Sequence, residues 1–255
     1  MRFAYSTINW GPTCDIEAAT KEIAEAGWCA VELYGHSLDW LGPPDSLRAE
    51  LSDLTVATFF SSFGLPSTRE SLQTHKRRID YAAELGAEAY GLVGGQRLRW
   101  RPPTDDEYQD LATFGAKLAD HAARKNVQVC YHPHTACTVE TADEIERILI
   151  DGSELRLCLD ASHIALVGED PIEVMERFWD RLGYIHLKDW AYGKFVEMGQ
   201  GTIGIDFPAI LEHLNQRGFG RWVVVEQSRS DVSPLQSARE NADYLTSRGY
   251  ALQTH

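Results

Sequence analysis

A chain of 255 residues, 44% hydrophobic and 24% charged, can build one sizeable core and has the composition of an ordinary soluble globular protein. Its net charge of −14 sets up a field that repels phosphate backbones and anionic membrane surfaces, so neither nucleic acid nor membrane is expected as a partner. No apolar run approaches the roughly 18 residues of a membrane helix, and MRFAYSTINW lacks the apolar core of a signal peptide. The five cysteines are odd in number and form no C-x-x-C pair, which predicts a reducing, cytoplasmic setting.

Short apolar or β-branched runs predict strands over residues 3–7, 30–34, 56–61, 89–94, 127–131, 155–160, 184–187 and 222–226. Amphipathic stretches between them predict helices. The first, 16–26, stops at Gly27; 68–85 stops at Gly86, and 105–125 at Asn126. Helices over 141–150 and 171–182 follow, then 207–217 before Gly218 and 235–246 before Gly249. The second crossover is the weakest, since PDSLRAELSD (44–53) reads as a short helix at best. Eight strands, each followed by a helix-like segment at a spacing of roughly 30 residues, predict a closed parallel (β/α)8 TIM barrel, one domain over residues 1–255. A doubly wound open sheet would carry a glycine-rich turn after its first strand, and STINWGPTCD has no G-x-G-x-x-G.

In such a barrel the C-terminal strand ends converge on one mouth. Strand two offers Glu32 and His36 there, and strand five His132 and His134. Strand six ends on Asp160, with His163 three residues on. Strand seven supplies His186, Lys188 and Asp189, and strand eight Glu226 and Gln227. One carboxylate at a strand end is ordinarily a helix cap. Metal-capable residues at four successive strand ends are not explained by independent capping. Nitrogen and oxygen donors without thiolate suit Mn²⁺, Mg²⁺, Co²⁺ or Zn²⁺, and Asp160, His186 and Glu226 are the three expected ligands. A cation there would also pair the charge of an acid that ends a buried strand.

These residues sit in segments that resemble the xylose isomerase-like TIM-barrel superfamily of sugar isomerases, ketose 3-epimerases and inosose dehydratases. The segments are INWG, AGWCAVEL, YHPHTACTVET, LCLDASH, YIHLKD, GQGTIGIDFPAIL and WVVVEQSRSD. With SARENADYL, the last looks most like inosose dehydratases. The resemblance implies a divalent metal, Mn²⁺ first, on Asp160, His186 and Glu226. It implies that His163 and Lys188 contact substrate or move protons, that Glu32 points to substrate hydroxyls, that GQGTIG helps close the mouth and that Trp10 forms an apolar wall. Relatives of the epimerase kind carry a metal-binding Glu on strand five. Aligned on the His-Pro of CYHPH, that position is Cys130 here, so the fourth ligand is sought at Glu140, with His132 or His134 as alternatives. Dimers and tetramers are common among the resembled families, with which a homo-oligomer is compatible.

The chemistry this predicts begins with loss of the proton α to the carbonyl of a ketose or keto-inositol, giving an enediolate that a divalent metal stabilises. His132, His134 and Glu226 are the candidate bases. Reprotonation gives an isomer or epimer; loss of a β-hydroxyl, protonated by Lys188 or a histidine, gives a dehydrated ketone. Trp10, Phe60, Trp100 and Trp190 offer apolar walls for a small cyclic polyol or, equally, core. Two other classes share the barrel. An endonuclease IV-like phosphodiester hydrolase would use a basic stretch such as Arg97, Arg99 and Arg101, against the −14 background. A non-catalytic barrel subunit would keep the fold and lose ligands, as the missing strand-five Glu hints.

Overall fold

The computed structural model describes residues 1–51, 54–64, 68–150 and 153–252. Strand β1 (Arg2–Ser6) leads through a 3₁₀ turn (Thr7–Trp10) to α1 (Ile16–Glu25) and β2 (Ala30–Tyr34). Two short helices, α2 (Leu38–Leu41) and α3 (Pro44–Glu50), precede β3 (Thr55–Phe63) and α4 (Arg69–Glu84). Then come β4 (Ala89–Gly94), α5 (Asp105–Ala123), β5 (Gln128–Tyr131), α6 (Ala142–Ile148) and β6 (Arg156–Asp160). After β6 lie α7 (Ala161–Leu166), α8 (Pro171–Arg177) and β7 (Leu182–Leu187). A hairpin of β8 (Asp189–Ala191) and β9 (Lys194–Val196), then α9 (Phe207–Gln216), β10 (Trp222–Val225) and α10 (Pro234–Thr246), complete the chain. Eight strands close in the order β1-β10-β7-β6-β5-β4-β3-β2, the TIM barrel expected from the strand count.

The chain packs as two compact units, Met1–Thr58 with Ile185–His255, and Phe59–Tyr184. In the first, β1 lies parallel to both β10 and β2, and β10 parallel to β7. The register sets Val224 beside His186 and Ser6 beside Glu32. Tyr5 packs on Trp28 at 4.9 Å between ring centroids, and the Trp28 indole donates to the Ala238 carbonyl (3.0 Å), fastening α10. Burial pushes the Tyr5 phenol up to about 12.

In the second unit β4 and β5 pair in parallel, as do β5 and β6. Phe59 stacks on Tyr90, whose hydroxyl meets His75 Nδ1 at 2.6 Å. Burial, with Arg78 nearby, lowers the His75 pKa to about 4. Gly91 is required by packing: a Cβ there would lie 2.1 Å from Tyr184 Oη and 2.3 Å from Phe60 Cδ2. Helices α5 and α6 start with capping boxes, Thr104 with Glu107 and Thr141 with Glu144.

The weak second crossover forms α3, and the last two residues of PDSLRAELSD lie outside the described residues. The predicted helix 171–182 is shorter, ending at Arg177 before a 3₁₀ turn and giving its last residue to β7. Helices α2 and α7 and the β8–β9 hairpin have no counterpart in the sequence reading. At four to six residues for the helices and three per strand for the hairpin, they are too short to show a period.

Candidate metal centre

Within the second unit, β6 delivers Asp160 to its C-terminal end, where the residue does two things. Its Oδ1 accepts from the amides of Ser162 (2.8 Å) and His163 (3.1 Å), making Asp160 the N-cap of α7. Its Oδ2 lies 3.5 Å from His132 Nε2. The capping and ligand readings of this acid are therefore compatible, one oxygen serving each. His132 follows directly on β5 and is buried, edge-on to Phe60. His134 Nδ1 donates to the Thr135 carbonyl (2.6 Å), so its Nε2 carries the lone pair in the neutral ring. The His134 and His163 rings lie 3.7 Å apart, and His163 Nδ1 faces Thr135 Oγ1 at 3.1 Å.

Within the first unit, β2 delivers Glu32, fully buried, and two residues on along the same face Tyr34, half-buried. Thr58 Oγ1 donates to Glu32 Oε2 (2.7 Å), and His186 Nε2 lies 3.1 Å from the same oxygen. His186 Nδ1 is 2.6 Å from Glu226 Oε2. Glu226, one residue beyond β10, takes hydrogen bonds on Oε1 from Lys188 Nζ (3.1 Å) and Ser228 Oγ (3.0 Å). Lys188 is 1% exposed, with its ammonium 4.5 Å from the Phe195 ring centre. Burial first, and the Glu226 charge second, raise the Tyr34 phenol pKa.

The second unit thus brings His132 Nε2 within 3.5 Å of Asp160 Oδ2, and the first brings His186 Nδ1 within 2.6 Å of Glu226 Oε2. Each pair offers one imidazole and one carboxylate, all buried, a donor chemistry that suits a divalent cation. Buried Glu32 adds an Oε1 with no hydrogen-bond partner among the described residues.

Glu140, the first choice for a fourth ligand, is engaged by other groups of its own unit. Arg97 Nε holds its Oε2 at 3.0 Å, and its Oε1 accepts from the Ala136 amide at 2.5 Å. His132, kept as an alternative, lies beside Asp160 as given above. Trp10 is half-buried, donates its indole N–H to Glu22 Oε2 (2.8 Å) and meets Tyr5 edge-on. His36 is buried between Thr7 Oγ1 (3.0 Å) and the Pro12 carbonyl (3.1 Å). Trp100 is exposed, and Trp190 packs on Phe195.

Asp189, read as one more strand-end acid, holds the GQGTIG loop. Its Oδ2 accepts from the amides of Gly199 (3.0 Å) and Gly201 (2.8 Å), and its Oδ1 from Trp190 (2.8 Å). A Cβ at Gly201 would fall 1.7 Å from Asp189 Oδ1, so glycine is required there. The sequence reading missed Thr58, Thr135, Tyr34 and Ser228. For Tyr34 a signal existed, its i+2 spacing from Glu32 on a predicted strand. The others are ordinary hydroxyl residues with none.

The family described as xylose isomerase-like TIM barrel matches residues 20–248. An inosose dehydratase of Lacticaseibacillus casei is 30% identical, over 92% of this chain and 90% of its own length. Among solved structures, the IolI protein with a bound zinc atom superposes with a TM-score of 0.80 at 18% identity, covering 98% of this chain and all of its own. An L-ribulose 3-epimerase gives 0.80 at 17%, over 96% and 93%. No helix among the described residues is long and apolar enough to cross a membrane.

Proposed function

Since the chain belongs to the xylose isomerase-like TIM-barrel family, we propose that it is a divalent-metal-dependent enzyme acting on a small polyol ketone, and that it dehydrates a keto-inositol. The observation that carries this reading is a buried imidazole beside a buried carboxylate in each unit, His132 Nε2 with Asp160 Oδ2 at 3.5 Å and His186 Nδ1 with Glu226 Oε2 at 2.6 Å, all at or just beyond the C-terminal ends of barrel strands. These four residues would hold Mn²⁺, with Co²⁺, Mg²⁺ or Zn²⁺ as other occupants. When bound, such a cation supplies Lewis acidity where negative charge develops on the substrate oxygen.

The chain's own groups would move the protons. His134, half-buried and with Nδ1–H committed to the Thr135 carbonyl, offers Nε2 as the base that removes the proton α to the ketone. The electron pair left on that carbon forms a C=C bond as the β-carbon–oxygen bond breaks. Lys188 gives a proton to the departing oxygen, which leaves as water, and Glu226 Oε1 at 3.1 Å keeps the ammonium charged and aimed. His163, whose ring lies 3.7 Å from that of His134 at a tilt of 41°, would steady that ring beside the substrate. Tyr34, at the outer end of β2, would present its hydroxyl to substrate oxygens.

Dehydration is preferred to epimerisation on two grounds. The full-length relative at 30% identity is an inosose dehydratase. The strand-five position where epimerase relatives carry a glutamate is Cys130, which leaves incomplete the pair of glutamates that would serve proton transfer on both faces of one carbon, and Lys188 supplies an acid for a leaving hydroxyl. Chelated protein should lose activity and regain it with Mn²⁺ or Co²⁺. In deuterated water the enzyme should release water from a keto-inositol. Proton exchange without water release would favour epimerase chemistry, and neither on any polyol ketone would refute enolisation.

A further inference from the structure

We infer that Glu32 is a positioning residue for the metal, acting through His186, rather than a group that binds substrate hydroxyls. The inference rests on the reading of His186 as a ligand and deepens it. Glu32 is fully buried, and its Oε2 is occupied twice, by Thr58 Oγ1 at 2.7 Å and His186 Nε2 at 3.1 Å. On the same face of β2, Tyr34 lies two residues nearer the strand's C-terminal end and is half-exposed. The position facing substrate on this strand is therefore Tyr34, with Glu32 one layer beneath it.

An imidazole that ligates a cation through one nitrogen must carry its proton on the other. In His186, Nδ1 is the nitrogen on the Glu226 side, 2.6 Å from Oε2, and Nε2 is the nitrogen on the Glu32 side. An ionised carboxylate only accepts, so Glu32 fixes the Nε2–H tautomer and leaves the Nδ1 lone pair for the metal. The Thr58 hydroxyl, donating to the same oxygen, fixes the carboxylate's orientation. Glu32 Oε1 has no hydrogen-bond partner among the described residues, so this acid acts through the oxygen that His186 and Thr58 share. A carboxylate behind a ligating histidine orients the ring and makes it a stronger donor; removing such a partner commonly costs about 10–100-fold in metal affinity.

The test is calorimetric titration of the chelated full-length protein with Mn²⁺, in wild type, Glu32→Ala, Glu32→Gln and Thr58→Val. Glu32→Ala should raise the Kd by about 10–100-fold. Glu32→Gln, which keeps an acceptor oxygen but not the charge, should fall between it and wild type. Thr58→Val should weaken binding by a smaller factor and covers the case in which the Glu32 variants do not fold. With Co²⁺ bound, the exchangeable His186 Nε2 proton should give a paramagnetically shifted NMR signal that broadens in Glu32→Ala and persists in Glu32→Gln. Wild-type Kd in every folded variant, with KM for a keto-inositol raised instead, would overturn the inference and return Glu32 to substrate. A wild-type protein that binds no Mn²⁺ would overturn it too, by removing the metal centre itself, an outcome separate from equal binding by all forms.

Discussion

Asp160 gives the centre its sharpest test, because its two oxygens are assigned different work. Oδ1 caps α7 through two amides at 2.8 and 3.1 Å, and Oδ2 faces His132 Nε2 at 3.5 Å. Asparagine caps as well as aspartate, so Asp160→Asn should keep α7 while offering an amide in place of a charged ligand oxygen. Mn²⁺ affinity should fall at least about 100-fold, roughly 2.8 kcal/mol of binding free energy. The metal-free Asn variant should be no less stable than wild type, since it no longer buries an acid among other acids. Asp160→Ala should lose the metal and the cap together, and the cap is worth about 1 kcal/mol. For a chain of this size that is a melting temperature roughly 2–4 °C below that of Asp160→Asn, both measured without metal. Calorimetry with Mn²⁺ and thermal denaturation of the chelated proteins read the two effects separately. Wild-type affinity in Asp160→Asn would refute the ligand role. Equal melting temperatures for the two metal-free variants would refute the capping role.

Lys188→Gln should lower turnover by about 10²–10⁴-fold while leaving the Kd for Mn²⁺ within a few-fold of wild type, because the ammonium is assigned to proton transfer and not to the metal; calorimetry and steady-state kinetics on the same preparation check both. The pKa of His75, lowered to about 4 against 6.5 in the unfolded chain, means that the folded state holds the neutral ring. That stability is fully present above pH 6.5 and is lost as pH falls from 6.5 to 4, at most about 3 kcal/mol at 1.36 kcal/mol per unit. Urea denaturation at pH 7 and pH 4 should show that loss in wild type and a smaller one in His75→Gln. Gly91→Ala should cost about 1–3 kcal/mol by overpacking, since the new methyl would meet Tyr184 Oη and Phe60; an unchanged urea midpoint would contradict the packing given for that layer.

The barrel was legible in the sequence because each strand is a buried run bounded by turn residues. Residues 30–34 and 89–94 match β2 and β4 end to end, flanked by glycines at 27, 35, 86 and 95. The strand-end residues could be named for the same reason, since the C-terminal end of a barrel strand is fixed by where its apolar run stops. Partners across the chain could not be named. Glu32 and His186 are 154 positions apart, and nothing local to either marks the 3.1 Å contact between them. Glu140 was favoured from its place at a helix start, yet the local YHPHTACTVET segment cannot reveal that Arg97, 43 residues earlier, holds its carboxylate. Asp189 reads as one more strand-end acid because an acid that anchors loop amides and an acid that binds a metal have the same one-letter code.

The most direct measurement is an anomalous-difference map from crystals of the protein grown with Mn²⁺. The account predicts one peak, about 2.0–2.3 Å from an oxygen or nitrogen of each of His132, Asp160, His186 and Glu226, with Glu140 still paired to Arg97. A map with no peak among those four side chains, or with the ion seated on Glu140, would contradict it.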